Sequence, residues 1–373
     1  MIYLDHASRT PADPDVLAEF CRVENEFFAN PMTAHAAGRT SKDELNRITA
    51  AMAKMLGANS KELIFTSGAT EANNLAIKGL TRVNRHVGKH IITTCLEHSS
   101  VTGPLAVLRD QGYEIELVDI LSNGTVDLDH LRVLLRPETV LMCVSWVDSE
   151  LGAIQPIQAI GELLEKHPNC HFHVDASQAV GKIPVSFEKI DTLSLSPHKF
   201  NGICGCGVLL KKEDILLDVQ IHGGVSATAY RSGTTALSLA ASSYKALELA
   251  IIQQNDRLEK VNSLRRHVIQ ALQQYPQVRI NSPNDLDKGS PYILNLSVSG
   301  IKGSDFQSIL DKHGVYVSVK SACSADATLS RPVFAVSKDK KNAMNSWRIG
   351  FSHTTEFAEV KEFLKILEQI LKN

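Results

Sequence analysis

Lys199 follows the strand-like run 192–195 and sits within Ser196-Pro197-His198-Lys199-Phe200-Asn201-Gly202. Open α/β sheets place ligands beyond the carboxyl ends of their strands. A lysine there could form an imine with an aldehyde cofactor, although a lysine after a strand is also a commonplace surface residue. Asp175 ends the run His171-Phe172-His173-Val174 and precedes Ala176-Ser177-Gln178. Such an aspartate can pair with a protonated pyridine nitrogen and keep the ring an electron sink. It can equally start a helix as an N-cap.

Four further segments carry chemistry. Thr66-Ser67-Gly68-Ala69-Thr70-Glu71-Ala72-Asn73-Asn74 lies between a strand-like and a helix-like run. Its small residues let backbone N–H groups approach an anion at a helix N-terminus, though it lacks the glycine spacing of a dinucleotide fingerprint or P-loop. His98 closes another strand-like run, where an imidazole could stack on a flat ring, move a proton, or be structural. Cys323, in Lys320-Ser321-Ala322-Cys323, is a nucleophile only once deprotonated. Arg348 stands in the apolar run Trp347-Arg348-Ile349-Gly350-Phe351 and needs an anionic partner, either a substrate carboxylate or an internal ion pair.

The surrounding pattern is that of an α/β protein. Short apolar runs at 63–65, 90–94, 113–118, 140–147, 172–174, 192–195 and 207–210 alternate with amphipathic stretches such as 128–135 and 157–164. That alternation predicts a mainly parallel sheet flanked by helices. Capping-box spacing at Ser41-Lys42-Asp43-Glu44 predicts a helix start, with Leu45, Ile48, Met52 and Met55 at helical intervals before Gly57. Beyond about 255 the pattern turns to long helices, a strand over 292–298, a helix over 305–313, a strand over 315–319, a poorly periodic stretch to Asn345 and a final helix over 357–371. The length of 373 residues predicts roughly two domains, with a site at their junction.

Hydrophobic residues make up 43% and charged residues 21%, an ordinary globular composition. A net charge of -2 gives no electrostatic reason for a nucleic-acid or membrane partner, so a small-molecule substrate is expected. The opening residues show no secretory pattern and no apolar stretch is long enough to span a bilayer, which points to a cytoplasmic protein. Seven scattered cysteines argue against a disulfide framework.

The order and context of these segments closely resemble the class V aminotransferase-fold family, and within it the bacterial NifS/IscS-type cysteine desulfurases. The likeness runs through Tyr3-Leu4-Asp5, Asn30-Pro31, His35, Ser67 to Glu71, Glu97-His98, Glu150-Leu151-Gly152 and His173 to Gln178. It continues through Ser196 to Lys199, His222-Gly223-Gly224, Arg231-Ser232-Gly233-Thr234, Ser321-Ala322-Cys323 and Arg348.

The resemblance implies the fold type I architecture of pyridoxal-phosphate (PLP) enzymes. A large α/β domain over 15–255 would carry a mainly parallel seven-stranded sheet, with a smaller α+β domain from 1–14 and 256–373. It implies that Lys199 is the Schiff-base lysine, that Asp175 pairs with the pyridine nitrogen, that Gln178 contacts the phenolic oxygen and that His98 stacks on the ring. Ala69, Thr70, Ser196 and His198 would hold the phosphate, joined by Thr234 from the neighbouring subunit of a homodimer. Arg348 would take the substrate carboxylate with Asn30 nearby.

The implied reaction converts L-cysteine to L-alanine and leaves the sulfur on Cys323 as a persulfide. A sulfur-acceptor or scaffold protein would then collect it for iron–sulfur cluster or thio-cofactor biosynthesis. Lys320 could favour the Cys323 thiolate by its charge. The chain departs from the family pattern at Asp148-Ser149, where paired asparagines are usual, and at Val225-Ser226-Ala227. It departs again at Lys320 and at Cys204 and Cys206. Other readings are a selenocysteine lyase, a cystine or cysteine lyase, or a low-activity paralogue serving as a binding subunit.

Overall fold

The computed structural model describes residues 1–224, 226–285, 287–320 and 329–372. After a two-residue strand β1 (Ile2–Tyr3), seven strands follow: β2 (Leu63–Thr66), β3 (His90–Thr93), β4 (Glu114–Leu117), β5 (Thr139–Ser145), β6 (His171–Asp175), β7 (Thr192–Leu195) and β8 (Gly207–Lys211). They form one sheet in the order β2-β8-β7-β6-β5-β3-β4. Strands β3 to β7 pair in parallel, and β8 runs antiparallel to both β7 and β2. Each of the seven apolar runs read from the sequence is a strand of this sheet.

Covering helices explain why the central strands read as continuous apolar runs rather than alternating ones. All residues of β5, β7 and β8 are buried. The edge strand β4 is partly exposed and carries Glu114 and Glu116, whose charges discourage pairing with another strand. Because β3, β5, β6 and β7 point the same way, their carboxyl ends open on a single side of the sheet.

Four strands complete the chain: β9 (Val278–Ile280), β10 (Ile293–Val298), β11 (Val315–Tyr316) and β12 (Ser346–Gly350). A small antiparallel sheet has the order β12-β10-β9, and β11 pairs in parallel with β1. Leu4, Leu264, Phe306, Trp347 and Phe363 belong to a second hydrophobic core around these strands. The N-terminal residues therefore pack with the C-terminal part of the chain.

Three local expectations are corrected. The first long helix spans Ala36–Met55 rather than starting at Ser41. Its N-cap is His35, whose Nδ1 accepts the Gly38 N–H at 3.1 Å, while Ser41 is buried and donates to the Phe27 carbonyl at 3.2 Å. The strand expected over 315–319 shortens to the two residues of β11. The poorly periodic stretch before Asn345 holds two short helices, Arg331–Ser337 and Lys340–Met344, started by side-chain caps from Ser330 and Asp339. At such lengths capping outweighs hydrophobic periodicity as a signal.

Candidate active site

The parallel strands deliver their terminal residues to one cavity of about 390 Å³. Asp175 is the last residue of β6, and Lys199 ends a 3-10 turn, Pro197–Lys199, that follows β7. Ala69 and Thr70 open the helix Ala69–Val83 after β2, and His98 is the N-cap of the helix Ser99–Asp110 after β3. With Gln178, Ser196, His198 and Arg348, they line the same cavity. Nine of the residues singled out in the sequence thus converge on one volume of a size suited to a cofactor and a small substrate.

Beneath the cavity lies a saturated hydrogen-bond network centred on Asn73, which is completely buried. Its Nδ2 donates to Asp175 Oδ2 at 2.8 Å and to Ser100 Oγ at 2.8 Å. Its Oδ1 accepts from Ser194 Oγ and pairs with His173 Nε2 at 2.9 Å. Burial pushes His173 down to about 4, so its ring is neutral at pH 7. In the sequence Asn73 stands out only as part of the turn 66–74. The signal for it was available: it lies on the same helical face as Ala69, Ala72 and Ala76, a polar group in a stripe of small residues.

Asp175 also accepts the Ser177 N–H at 3.0 Å, so its carboxylate is oriented by one side chain and one backbone group. His98 Nδ1 accepts from the Ser100 N–H at 3.1 Å. A backbone N–H can only donate, which leaves the proton of the neutral ring on Nε2. Burial lowers the pKa of His98. Next to it, Glu97 takes bonds from Thr94 Oγ1, Ser145 Oγ and the Ser145 N–H, and burial raises it to about 7.

The Lys199 amine is held from the N-terminal segment. Its Nζ donates to the carbonyls of Ala7 and Ser8 at 2.9 and 2.6 Å. The Ala7 carbonyl also accepts Gln178 Nε2 at 2.8 Å. Thr10 clamps the same turn, donating through Oγ1 to the His198 carbonyl at 2.9 Å and accepting the Asn201 N–H at 2.8 Å. Ser196 Oγ lies 2.9 Å from His198 Nδ1, and burial followed by the Lys199 charge pushes His198 down to about 4. The lysine is therefore flanked by a neutral imidazole.

Arg348 emerges from β12 and is only 1% exposed. Nη1 donates to the Ser149 carbonyl at 2.6 Å, and Nη2 donates to Asp5 Oδ1 at 3.0 Å and Ser8 Oγ at 2.8 Å. An internal ion pair and a place on the cavity wall are thus both present. Its Nε is buried with no hydrogen-bond partner among the described residues. At the departure Asp148-Ser149, Ser149 lines the cavity. Asp148 faces inward, accepts the N–H groups of Glu150 and Leu151, and is raised by burial to about 8. A carboxyl that keeps its proton at pH 7 resembles an amide in charge.

The residues fit pyridoxal phosphate. An aldehyde needs an amine, which Lys199 supplies; a pyridine nitrogen needs an acid, which Asp175 supplies; a phosphate needs donors. The helix Ala69–Val83 starts at Gly68 with no side-chain cap bond, so its first N–H groups remain available toward the cavity. Ser177 Oγ is buried there without a partner among the described residues. Glu71 braces this turn through the Ser67 N–H at 2.7 Å and Arg231 Nε at 3.0 Å. Gly207 lets β8 pass close beneath, since a Cβ there would lie 2.4 Å from the Gly68 carbonyl carbon.

Two expected residues are not brought into this cavity. Asn30 is exposed and accepts the Met32 N–H at 2.9 Å. Thr234 is exposed and absent from the cavity wall. Cys323 lies outside the described residues, as do Val225 and the neighbours Ser321 and Ala322. Cys204, by contrast, lines the cavity from the turn after Lys199.

The profile of the family described as "Aminotransferase class-V" matches residues 2–363. Two relatives that match the whole chain are "Cysteine desulfurase IscS" of Clostridium botulinum, 32% identical and 94% covered, and "Putative cysteine desulfurase IscS 1" of Bacillus subtilis, 34% identical and 98% covered. Among solved structures, a chain described as "NIFS-LIKE PROTEIN" superposes with a TM-score of 0.93 at 30% identity, covering 100% of this chain and 99% of that one. Another, "SspA in complex with cysteine", has a TM-score of 0.80 at 28% identity over 94% of this chain and 99% of that one. The match over nearly the full length, on the fold and cavity just described, places this chain in the class V aminotransferase family, among its NifS/IscS-type cysteine desulfurase relatives.

Proposed function

We propose that this chain is a PLP-dependent cysteine desulfurase, taking sulfur from L-cysteine and releasing L-alanine. The observation that carries the reading is the convergence of Lys199, Asp175, His98 and Arg348 on one cavity at the carboxyl ends of the parallel strands. Class V aminotransferases and cysteine desulfurases are PLP-dependent, and a neighbour solved with cysteine supports the substrate.

Bound here, PLP would supply an electron sink for the carbanion left when the substrate α-proton departs. The chain's own groups do the rest. Arg348 offers its guanidinium, anchored by Asp5 and the Ser149 carbonyl, to the substrate carboxylate. The Lys199 amine takes the α-proton and later returns a proton to the product. Asp175, oriented by Asn73 and the Ser177 N–H, holds the ring-nitrogen proton. Ala69, Thr70, Ser196 and His198 would hold the phosphate, Gln178 would offer a donor to the phenolic oxygen, and His98 would lie against the ring.

Cys323 is the proposed sulfur acceptor. Its thiolate attacks the substrate sulfur, the substrate C–S bond breaks with its electron pair left on carbon, and a persulfide remains on the enzyme. Thr234 is proposed to serve the neighbouring subunit of a homodimer, in keeping with its exposed position. The division into domains 15–255 and 1–14 with 256–373, a cytoplasmic location and an acceptor protein downstream belong to the same reading. No described helix is long and apolar enough to cross a membrane.

The test is to incubate the purified protein with PLP and L-cysteine and follow alanine and sulfide, with and without Cys323→Ala. Stoichiometric alanine that falls at least about tenfold in the variant supports the reading, a loss of about 1.4 kcal/mol or more of transition-state stabilisation. Alanine formed at full rate by the variant overturns the persulfide step.

A further inference from the structure

Lys182 is 4% exposed, at the end of the turn that follows β6. Its Nζ donates to Gln178 Oε1 at 2.6 Å and lies 5.6 Å from the centroid of the Tyr292 ring. Gln178 Nε2 donates to the Ala7 carbonyl, which also accepts Lys199 Nζ. A continuous path therefore runs from Lys182 through the Gln178 amide and the Ala7 carbonyl to Lys199, with links of 2.6, 2.8 and 2.9 Å.

The two ends of a glutamine amide have the same shape, and only hydrogen-bond partners decide which faces where. Here one side is set by an amine and the other by a carbonyl, which can only accept. Oε1 is thereby turned to Lys182 and Nε2 to Ala7, leaving the second N–H of Nε2 for the cavity that Gln178 lines. We propose that Lys182 is a positioning residue, fixing the Gln178 amide so that it presents a donor to the bound cofactor. This rests on the function proposed above and adds a residue to it.

The surroundings support that role. Burial, then the charges of Lys199 and Arg348, push Lys182 down to about 7. Of the other titratable neighbours, His6 is pushed by burial down to about 4 and Tyr292 is pushed up by burial. Among the described residues no attractive charge is found to compensate for burying the amine, so an apolar chain of equal length would pack here at lower cost. The hydrogen bond to Gln178 and the approach to the Tyr292 ring are what the amine adds, and only the first of them reaches the cavity wall.

The experiment compares Lys182→Met, Lys182→Gln and Gln178→Ala with the unaltered protein. Crystal structures of the cofactor-free proteins are expected to show the Gln178 amide leaving the Ala7 carbonyl in Lys182→Met and staying in Lys182→Gln, which keeps a neutral donor. In the PLP-loaded proteins, the pH midpoint of the cofactor's visible absorbance is expected to move in the same direction in Lys182→Met and Gln178→Ala, by about a tenfold change in proton affinity. Lys182→Gln is expected to restore most of it.

An unmoved Gln178 in Lys182→Met, or a midpoint shifted by Gln178→Ala but not by Lys182→Met, overturns the proposal. Should Lys182→Met fail to fold, Lys182→Gln decides: a displaced amide there also overturns it. Failure of the unaltered protein to bind PLP would instead overturn the functional reading, while the cofactor-free structures still judge the role of Lys182.

Discussion

Asn73 Nδ2 donates to Asp175 Oδ2 at 2.8 Å, so the acid that faces the cavity is tied to a buried amide from another element. The two residues are far apart in the chain and meet because the helix Ala69–Val83 lies across β6 and β7. Replacing Asn73 by Ala removes a bond to a carboxylate and leaves His173 and Ser194 without a shared acceptor. Stability is expected to fall by about 1–3 kcal/mol and PLP affinity by about tenfold. Thermal melting with and without PLP, and a fluorescence titration of the cofactor, check both; unchanged affinity would mean that Asp175 needs no such support.

Asp148 gives a pH dependence of defined sign. Its folded-state pKa is raised to about 8, whereas an unfolded aspartate titrates near about 4. Between these values the folded chain holds a proton that the unfolded chain has lost, so this residue's contribution to stability declines as pH rises through that window. Asp148→Asn removes the decline. In denaturant unfolding, the advantage of the variant over the parent is expected to grow from pH 5 to pH 8 by on the order of a few kcal/mol. Glu97, raised in the same direction and one of the charges that raise Asp148, is present in both proteins, so only its coupling to Asp148 enters the difference; parallel stability curves would contradict the buried-acid assignment.

The turn proposed to receive the phosphate can be tested with two glycines. A Cβ on Gly207 would fall 2.4 Å from the Gly68 carbonyl carbon, whereas a Cβ on Gly68 meets nothing within 4 Å. Gly207→Ala is expected to cost about 1–3 kcal/mol by forcing the strands apart and to weaken PLP binding. Gly68→Ala is expected to keep the parent melting temperature. Equal melting temperatures for the two variants would show that β8 does not press on this turn.

Arg348, on the cavity wall, pairs with Asp5 at 3.0 Å. Lysine in place of Arg348 keeps a charge but loses the planar fork that reaches Ser149, Ser8 and Asp5 together. The kcat/KM for L-cysteine is expected to fall about tenfold or more, mostly through KM, with little change in PLP retention. A fall in kcat alone would place the arginine away from the substrate carboxylate.

Much of this architecture was legible in the residues. Strand ends mark ligand positions in an α/β sheet, so Asp175 and Lys199 could be singled out before their surroundings were known. The hold on Lys199 could not, because it comes from the carbonyls of Ala7 and Ser8, and a backbone acceptor has no side-chain signature. Lys182 carries no signal in the sequence, since a lysine reads as a surface residue, and only the structure shows it buried. Ser41 misled for the opposite reason: its spacing suits a cap, but its hydroxyl is taken up by the Phe27 carbonyl inside the core. Asp148 reads in the sequence only as a departure from the family's paired asparagines, whereas burial leaves it protonated and closer in character to an asparagine.

The most direct measurement is borohydride reduction of the PLP-loaded protein, followed by peptide mapping. The expected result is the cofactor's mass on the peptide containing Lys199 and its absence from a Lys199→Ala protein treated in the same way. Cofactor found on Lys182, or on no lysine at all, would contradict the site described above.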